Sequence, residues 1–108
     1  MKFGGGNIKN LLKQANKMKE QMEKLQAEAG EKTVEASAGG GMVTVIAKAK
    51  GELVSIRIEP EIVNDNDIEM LQDLITAAVN DALGRGQDLM KEEVAKLAGG
   101  LGIPPGLI

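Results

Sequence analysis

The sequence predicts an α+β protein of order α-β-β-β-α, a three-stranded antiparallel meander with two long helices. Three observations lead there. Residues 7–29 carry apolar side chains at helical spacing, with no proline or glycine among them. Residues 33–59 alternate apolar and polar in three short stretches divided by glycine-bearing turn signals. Helical spacing returns after Pro60 and runs over residues 67–97.

In the first helix, Ile8, Leu11, Ala15, Met18, Met22, Leu25 and Ala29 form one seam, in steps that alternate between three and four. A seam this narrow suits packing against another helix. Asn7 can cap its start, and Gly30 stands where a left-handed residue would end it. The glycines of MKFGGG favour no regular structure, so residues 1–6 are expected to be a flexible tail.

In the first strand, 33–38, Val34, Ala36 and Ala38 share a face. Gly39, Gly40 and Gly41 make a flexible turn into the second strand, 42–49, whose Val43, Val45, Ala47 and Ala49 face one way. Lys50 and Gly51 are a hairpin signal. In the third strand, 53–59, Val54, Ile56 and Ile58 are expected inward, with Ser55, Arg57 and Glu59 outward. Pro60 has no N–H to donate and closes it.

Residues 61–67 form a connector with room for one helical turn, and Asn66 with Glu69 reads as a capping box. Ile68, Leu71, Ile75, Ala78 and Ala82 open the second long helix; Met90, Val94 and Leu97 resume its stripe. Gly84 and Gly86 interrupt it at about 1 kcal/mol each relative to Ala, so a weak point or bend is expected there. Pro104 and Pro105 bar a helix near the end, and residues 99–108 are expected to be a second flexible tail. The chain thus reads as one domain, 7–98, between two tails.

Composition excludes several classes. The 108 residues include no Cys, His, Trp or Tyr, and the one aromatic is Phe3. Thiol chemistry, a disulfide framework and a Cys/His metal site are therefore excluded. Ser37 and Ser55 have no base to activate them, and nothing pairs the acids in a pocket, so no enzyme is expected. Gly4 to Gly6 lack the Gly-Lys-Ser/Thr of a phosphate loop. Asp65, Asp67 and Glu69 lack the glycine and distant glutamate of a Ca²⁺ loop. No metal, cofactor or small-molecule substrate is expected. No apolar run reaches the roughly 18 residues of a membrane span, and the start has no apolar signal-peptide core. A cytoplasmic protein without a membrane partner is expected.

The net charge of -3 conceals a split. Residues 1–19 hold five lysines (Lys2, Lys9, Lys13, Lys17 and Lys19) and no acid, whereas residues 59–81 hold seven acids and no base. Screening over about 8 Å makes the two regions nearly independent at physiological salt. The acidic stretch suits a helix start and could also repel DNA. Lys9, Lys13 and Lys17 lie four apart, where they repel one another by roughly 0.2–0.5 kcal/mol per pair and oppose the helix dipole. Sequences break local rules most often at functional sites. The face has two readings, a solvated surface or a phosphate contact. Asn10, Gln14 and Asn16 lie nearby and can donate to phosphate oxygens. Without aromatics to stack on bases, single-strand and RNA recognition are disfavoured. Two arginines, Arg57 and Arg85, are too few for much groove reading. Duplex DNA held by its backbone is what remains of the nucleic-acid reading.

Length adds a constraint. Twenty-three helical residues span roughly 35 Å, and a seven-residue strand roughly 23 Å, so the helix overhangs the sheet by about a third. The overhanging part is the lysine-bearing half, whose seam has no sheet to cover it. A homodimer with projecting helical arms is expected, its interface using Ile8, Leu11, Leu12, Ala15 and Met18 of the helix with Ile56 and Ile58 of the third strand.

Four stretches lie in order over nearly the whole chain: GGGNIKNLLKQANKMKEQMEKLQ, GGGMVTVIAKAKGELVSIRIEP, DIEMLQDLITAAVNDAL and the PPG near the end. In them the sequence resembles the YbaB/EbfC family of bacterial nucleoid-associated proteins, most specifically at LLKQANKM and LQDLITAAVNDA. The resemblance implies the α-β-β-β-α fold and a tweezer-shaped homodimer. It also implies duplex DNA binding with little sequence preference, a cytoplasmic and nucleoid location, and a role in chromosome organisation. The resulting expectation is a nucleoid-associated protein that alters the conformation or compaction of duplex DNA, and through it gene expression. The alternative, from another class, is a homodimeric adaptor whose projecting helices bind another protein.

Overall fold

The computed structural model describes residues 5–64 and 66–100. Its elements are α1 (Gly5–Ala29), β1 (Thr33–Ala38), β2 (Val43–Lys48), β3 (Glu52–Ile58), α2 (Pro60–Asn64) and α3 (Ile68–Gly100). The expected order holds, with the short α2 added in the connector. Of the two expected tails, 1–4 and 101–108 lie outside the described residues, while Gly5, Gly6, Gly99 and Gly100 are helical. Asn7, expected to cap α1, is instead its third residue.

The sheet is antiparallel in the order β1-β2-β3. Thr33 lies opposite Lys48, and Val43 opposite Ile58. At the β2–β3 turn, Gly51 donates its N–H to the Lys48 carbonyl at 2.9 Å, with φ at 98°, a conformation that favours glycine. The ladder then slips. Ile46 faces Ser55 but Ala47 faces Leu53, so Val54 is the extra residue of a β-bulge. The expected alternation of β3 therefore fails at this point: Leu53, not Val54, shares the face of Ala47.

The core lies between the sheet and α3. Buried Ala36, Val43, Val45 and Ala47 meet buried Ala78 and Ala82, with Leu71, Leu74, Ile75 and Val79 packed around them. α3 packs on β1 and β2, and its contact with β3 is slight. It is helical through Gly84 and Gly86, where a weak point or bend was expected. Gly86 has a packing reason: a Cβ there would lie 3.1 Å from the Ala49 Cα and 3.4 Å from the Lys48 carbonyl oxygen. The helix passes the β2–β3 turn with no room for a side chain. A Cβ on Gly84 would meet nothing within 4 Å.

Two helix ends differ from the sequence reading. Asp67, not Asn66, caps α3: its Oδ1 accepts the Met70 N–H at 2.9 Å. Asn66 takes φ 55° just before it. Gly30 is absent from the positive-φ residues. It is needed for space, because a Cβ would collide with the Gln26 carbonyl oxygen and sit 3.2 Å from the Lys50 Cβ. The Gly30 carbonyl accepts the Lys50 N–H at 3.1 Å, tying the end of α1 to the β2–β3 turn.

From that tie α1 leaves the sheet. It packs on α3 and has at most slight contact with the strands. Gln21, Leu25 and Ala29 share a groove with Glu93 and Leu97 of α3. The expected overhang of a third is thus exceeded, since the whole of α1 stands off the sheet. The molecule measures 74 × 22 × 19 Å.

The two helical glycines make opposite predictions. Gly84→Ala should raise unfolding free energy by roughly 0.5–1 kcal/mol, from helix propensity with nothing displaced. Gly86→Ala should lower it by about 1–3 kcal/mol, because backbone must move to admit the methyl. Urea titration of the two variants reads both.

Candidate nucleic-acid interface

Residues 8–17 of α1 are exposed without exception, and Met18 is the first half-buried position. Lys9, Lys13, Lys17, Lys19, Asn10, Gln14 and Asn16 are therefore all exposed. Helix geometry sorts them. At 3.6 residues per turn, Lys9, Lys13 and Lys17 fall within a sector of about 80°, with Asn16 beside them, opposite the apolar seam. Asn10 and Gln14 lie on one flank. Lys19 is about 160° round from Lys17, on the other flank. The structure thus unites three of the four lysines and one of the three amides. It adds Lys24, exposed and seven residues beyond Lys17 on the same stripe. That heptad spacing was the signal that could have found it.

Charge pairing is concentrated at the foot of the arm and on α3. Among the described residues, no ion pair involves Lys9, Lys13, Lys17, Lys19 or Lys24. The lysines at the foot of the arm are matched. Lys32 Nζ lies 3.0 Å from Glu93 Oε1, Lys48 and Lys50 each lie 2.7 Å from Glu31, and Lys50 lies 3.3 Å from Glu52. Hydrogen bonds from Lys48 and Lys50 hold the Glu31 carboxyl down at about 2. The same bond from Glu31 raises Lys50. Lys32 likewise lowers Glu93.

The acids gather at the other end. The Gly39–Gly41 turn shares a groove with Glu59 and Glu61, and Asp67 and Glu69 are exposed at the start of α3. α1 joins the sheet at the opposite end, through Gly30 and Lys50. The acid-free start of α1 and the acids Glu59, Glu61, Asp67 and Glu69 therefore lie towards opposite ends of an elongated protomer.

The residues expected at a dimer interface fall in two places. Ile8, Leu11, Leu12 and Ala15 are exposed on the arm, with Met18 half-buried. Ile56 is 43% exposed and Ile58 is half-buried against the core, both on β3. The sequence reading missed Leu53, exposed on β3 itself, and Met42, exposed beside the end of that strand where its carbonyl accepts the Glu59 N–H. An alternating pattern does not distinguish a central strand from an edge strand, so no sequence signal marked them.

No described helix is long and apolar enough to cross a membrane. The described residues contain no cluster of acids able to hold a metal. A family model for the YbaB/EbfC DNA-binding family matches residues 4–101. The chain belongs to the YbaB/EbfC family.

Relatives are similar over nearly their whole length. A nucleoid-associated protein of Acetivibrio thermocellus is 56% identical over 103 residues, 95% of this chain and 91% of that protein. One from Clostridium novyi is 55% identical over 101 residues, 94% of this chain and 89% of that one. The crystal structure of an uncharacterised Helicobacter pylori protein superposes with a TM-score of 0.69 at 26% identity, covering 90% of this chain and 97% of that chain. The α+β architecture is therefore shared with a solved structure.

The clamp at Glu31 makes a pH prediction. Its folded carboxyl is depressed from 4.5 to about 2, so its stabilising effect is complete above about 4.5 and vanishes as pH falls through about 2. Glu31→Gln should melt below wild type near neutral pH, with the gap closing towards pH 2 and shrinking in high salt, since both partners face solvent. Thermal melts across pH read this.

Proposed function

We propose that this YbaB/EbfC-family protein binds duplex DNA through the outer face of α1, as a homodimer, and alters the path or compaction of the duplex in the nucleoid and so in the cytoplasm. Effects on gene expression follow from that. One observation carries the reading. A row of exposed lysines, none in an ion pair among the described residues, stands on a helix projecting from a body in which Lys32, Lys48, Lys50, Arg85 and Lys96 are paired with acids. Lysine is a point charge suited to phosphate, and the amide of Asn16 adds a donor in the same sector. Lys19, Asn10 and Gln14 extend the contact to either flank. With Arg85 held by Asp81 at 3.2 Å and Arg57 on the sheet, little is left to read bases, so binding of low sequence preference follows.

The second copy supports this by doubling the lysines. We place the centre of the dimer at β3, with Ile56, Ile58 and Leu53, because that strand offers an unpaired backbone edge together with apolar side chains. An edge of that kind draws in another strand unless covered. A two-fold axis would set the same patch on both partners. The arm seam of Ile8, Leu11, Leu12, Ala15 and Met18 then stays outside the centre of the interface.

If a dimer uses about six to eight lysines, log K against log salt should fall with a slope of about -5 to -7. Charge reversal at Lys9, Lys13 and Lys17 should abolish binding in a gel-shift titration while the dimer mass is unchanged. A slope near zero, or undiminished binding by the triple variant, would overturn the reading and favour the adaptor. Separately, Ile56→Asp should convert dimer to monomer in light scattering and roughly halve the slope. A dimer of unaltered mass would remove β3 from the interface.

A further inference from the structure

We propose that the foot of the arm is a second site for a duplex phosphate, held closed by Glu31, whose carboxylate sits where the phosphate would sit. The inference rests on the reading of the arm as the DNA-binding element. Glu31 follows directly on the end of α1 at Gly30. Lys48 Nζ lies 2.7 Å from its Oε2, and Lys50 Nζ 2.7 Å from its Oε1. Each carboxylate oxygen thus takes a lysine of its own. The two non-bridging oxygens of a phosphodiester offer the same pair of acceptors and the same single charge. Both lysines reach solvent, with side chains 29% and 43% exposed.

Further donors stand beside the clamp. A cavity of about 750 Å³ is lined by Gln26, Ala27, Glu31, Lys50, Gln87 and Lys91. Gln26, Gln87 and Lys91 are exposed and can each donate to an oxygen placed there. Lys91 is in no ion pair among the described residues. Lys48, Lys50 and Lys91 face two acids, Glu31 and the Glu52 that lies 3.3 Å from Lys50. Without the charge of Glu31, the three lysines would face one. The cavity also continues the lysine row. Ala27 falls at the same angle round α1 as Lys9. It lies ten residues beyond Lys17, about 15 Å along the axis, or about four base-pair steps of a duplex laid on the row.

Backbone bonds hold Glu31 in place. The Lys50 N–H donates to the Gly30 carbonyl at 3.1 Å, and the Ala49 N–H to the Lys32 carbonyl at 2.8 Å. They flank Glu31 on both sides and give its carboxylate a high effective concentration against any phosphate from outside. They also fix the turn without the side chain, and exposed ion pairs add little to stability. Loss of the carboxyl therefore opens the site in a folded protein. The closed clamp keeps the grip on DNA loose.

The test is fluorescence anisotropy of the full chain on a duplex of about 30 base pairs over a range of salt. Glu31→Gln should tighten binding about tenfold at physiological salt and steepen the slope of log K against log salt by about 1 to 2. Glu28→Gln removes the same charge three residues earlier, beside a different groove, and should tighten binding about twofold at most. Adding Lys48→Gln and Lys50→Gln to Glu31→Gln should remove the gain. Glu31→Ala is a second opening variant, and circular dichroism checks that both are folded. Equal gains from Glu28→Gln and Glu31→Gln would overturn the proposal. So would a gain that survives loss of both lysines, or no gain in either folded Glu31 variant. Unfolding of both variants would overturn it too, because the turn would then depend on the clamp. Binding that survives charge reversal of Lys9, Lys13 and Lys17 would refute the arm and leave the Glu31 to Glu28 ratio to be read. A missing gain with arm dependence intact refutes only the closed site.

Discussion

Helix α3 lies close against β1 and β2 because the residues between them are small. Ala78 and Ala82 meet a sheet face built from Ala36, Val43, Val45 and Ala47, and Gly86 lets the backbone of the helix pass the β2–β3 turn at near contact. A core of small side chains is thin, and dense packing then depends on this close approach. One helix seated so closely covers two strands and not three. β3 is left with Leu53, Val54 and Ile56 exposed. The same helix, being 33 residues long, runs on past the sheet and becomes the support for α1. The bare strand and the projecting arm are both consequences of one seating.

The electrostatics follow the packing. Where the chain is folded on itself, at Glu31, Lys48, Lys50 and at Lys32, Glu93, cations find acids and the charge is cancelled locally. On the first half of α1 the sequence holds no acid before Glu20, and the first turn holds none. An unmatched row of lysines raises the cost of the free helix and offers a stronger attraction to a polyanion. The acids at the far end of the protomer leave that attraction directional. The family match over residues 4–101 and this division of charge point the same way.

Much of this was legible in the order of residues. The helix of α1, the half-burial of its seam from Met18 onward, and the alternation of Val34, Ala36 and Ala38 survive in the structure, because period is a local property of the chain. The discrepancies share a cause. Val54 became a bulge, Gly86 a packing glycine, and Gly30 a matter of space and not of φ. Each depends on which backbone lies opposite, and a single sequence does not state that. The capping of α3 by Asp67 in place of Asn66 is a shift of one residue, decided by where the chain enters the helix from α2. For the lysine row, spacing placed Lys9, Lys13 and Lys17 on one face, but only the surrounding structure shows that nothing described neutralises them.

By itself, then, the sequence determined the elements, their order, the absence of thiol and imidazole chemistry, and the separation of lysines from acids, because these depend on composition and short-range periodicity. The tertiary structure alone decided that α1 leaves the sheet, that α3 covers two strands, and that β3 stays bare. Those outcomes rest on how closely two backbones approach, and that distance is set jointly by residues such as Gly86 and Ala49, which lie far apart in the chain.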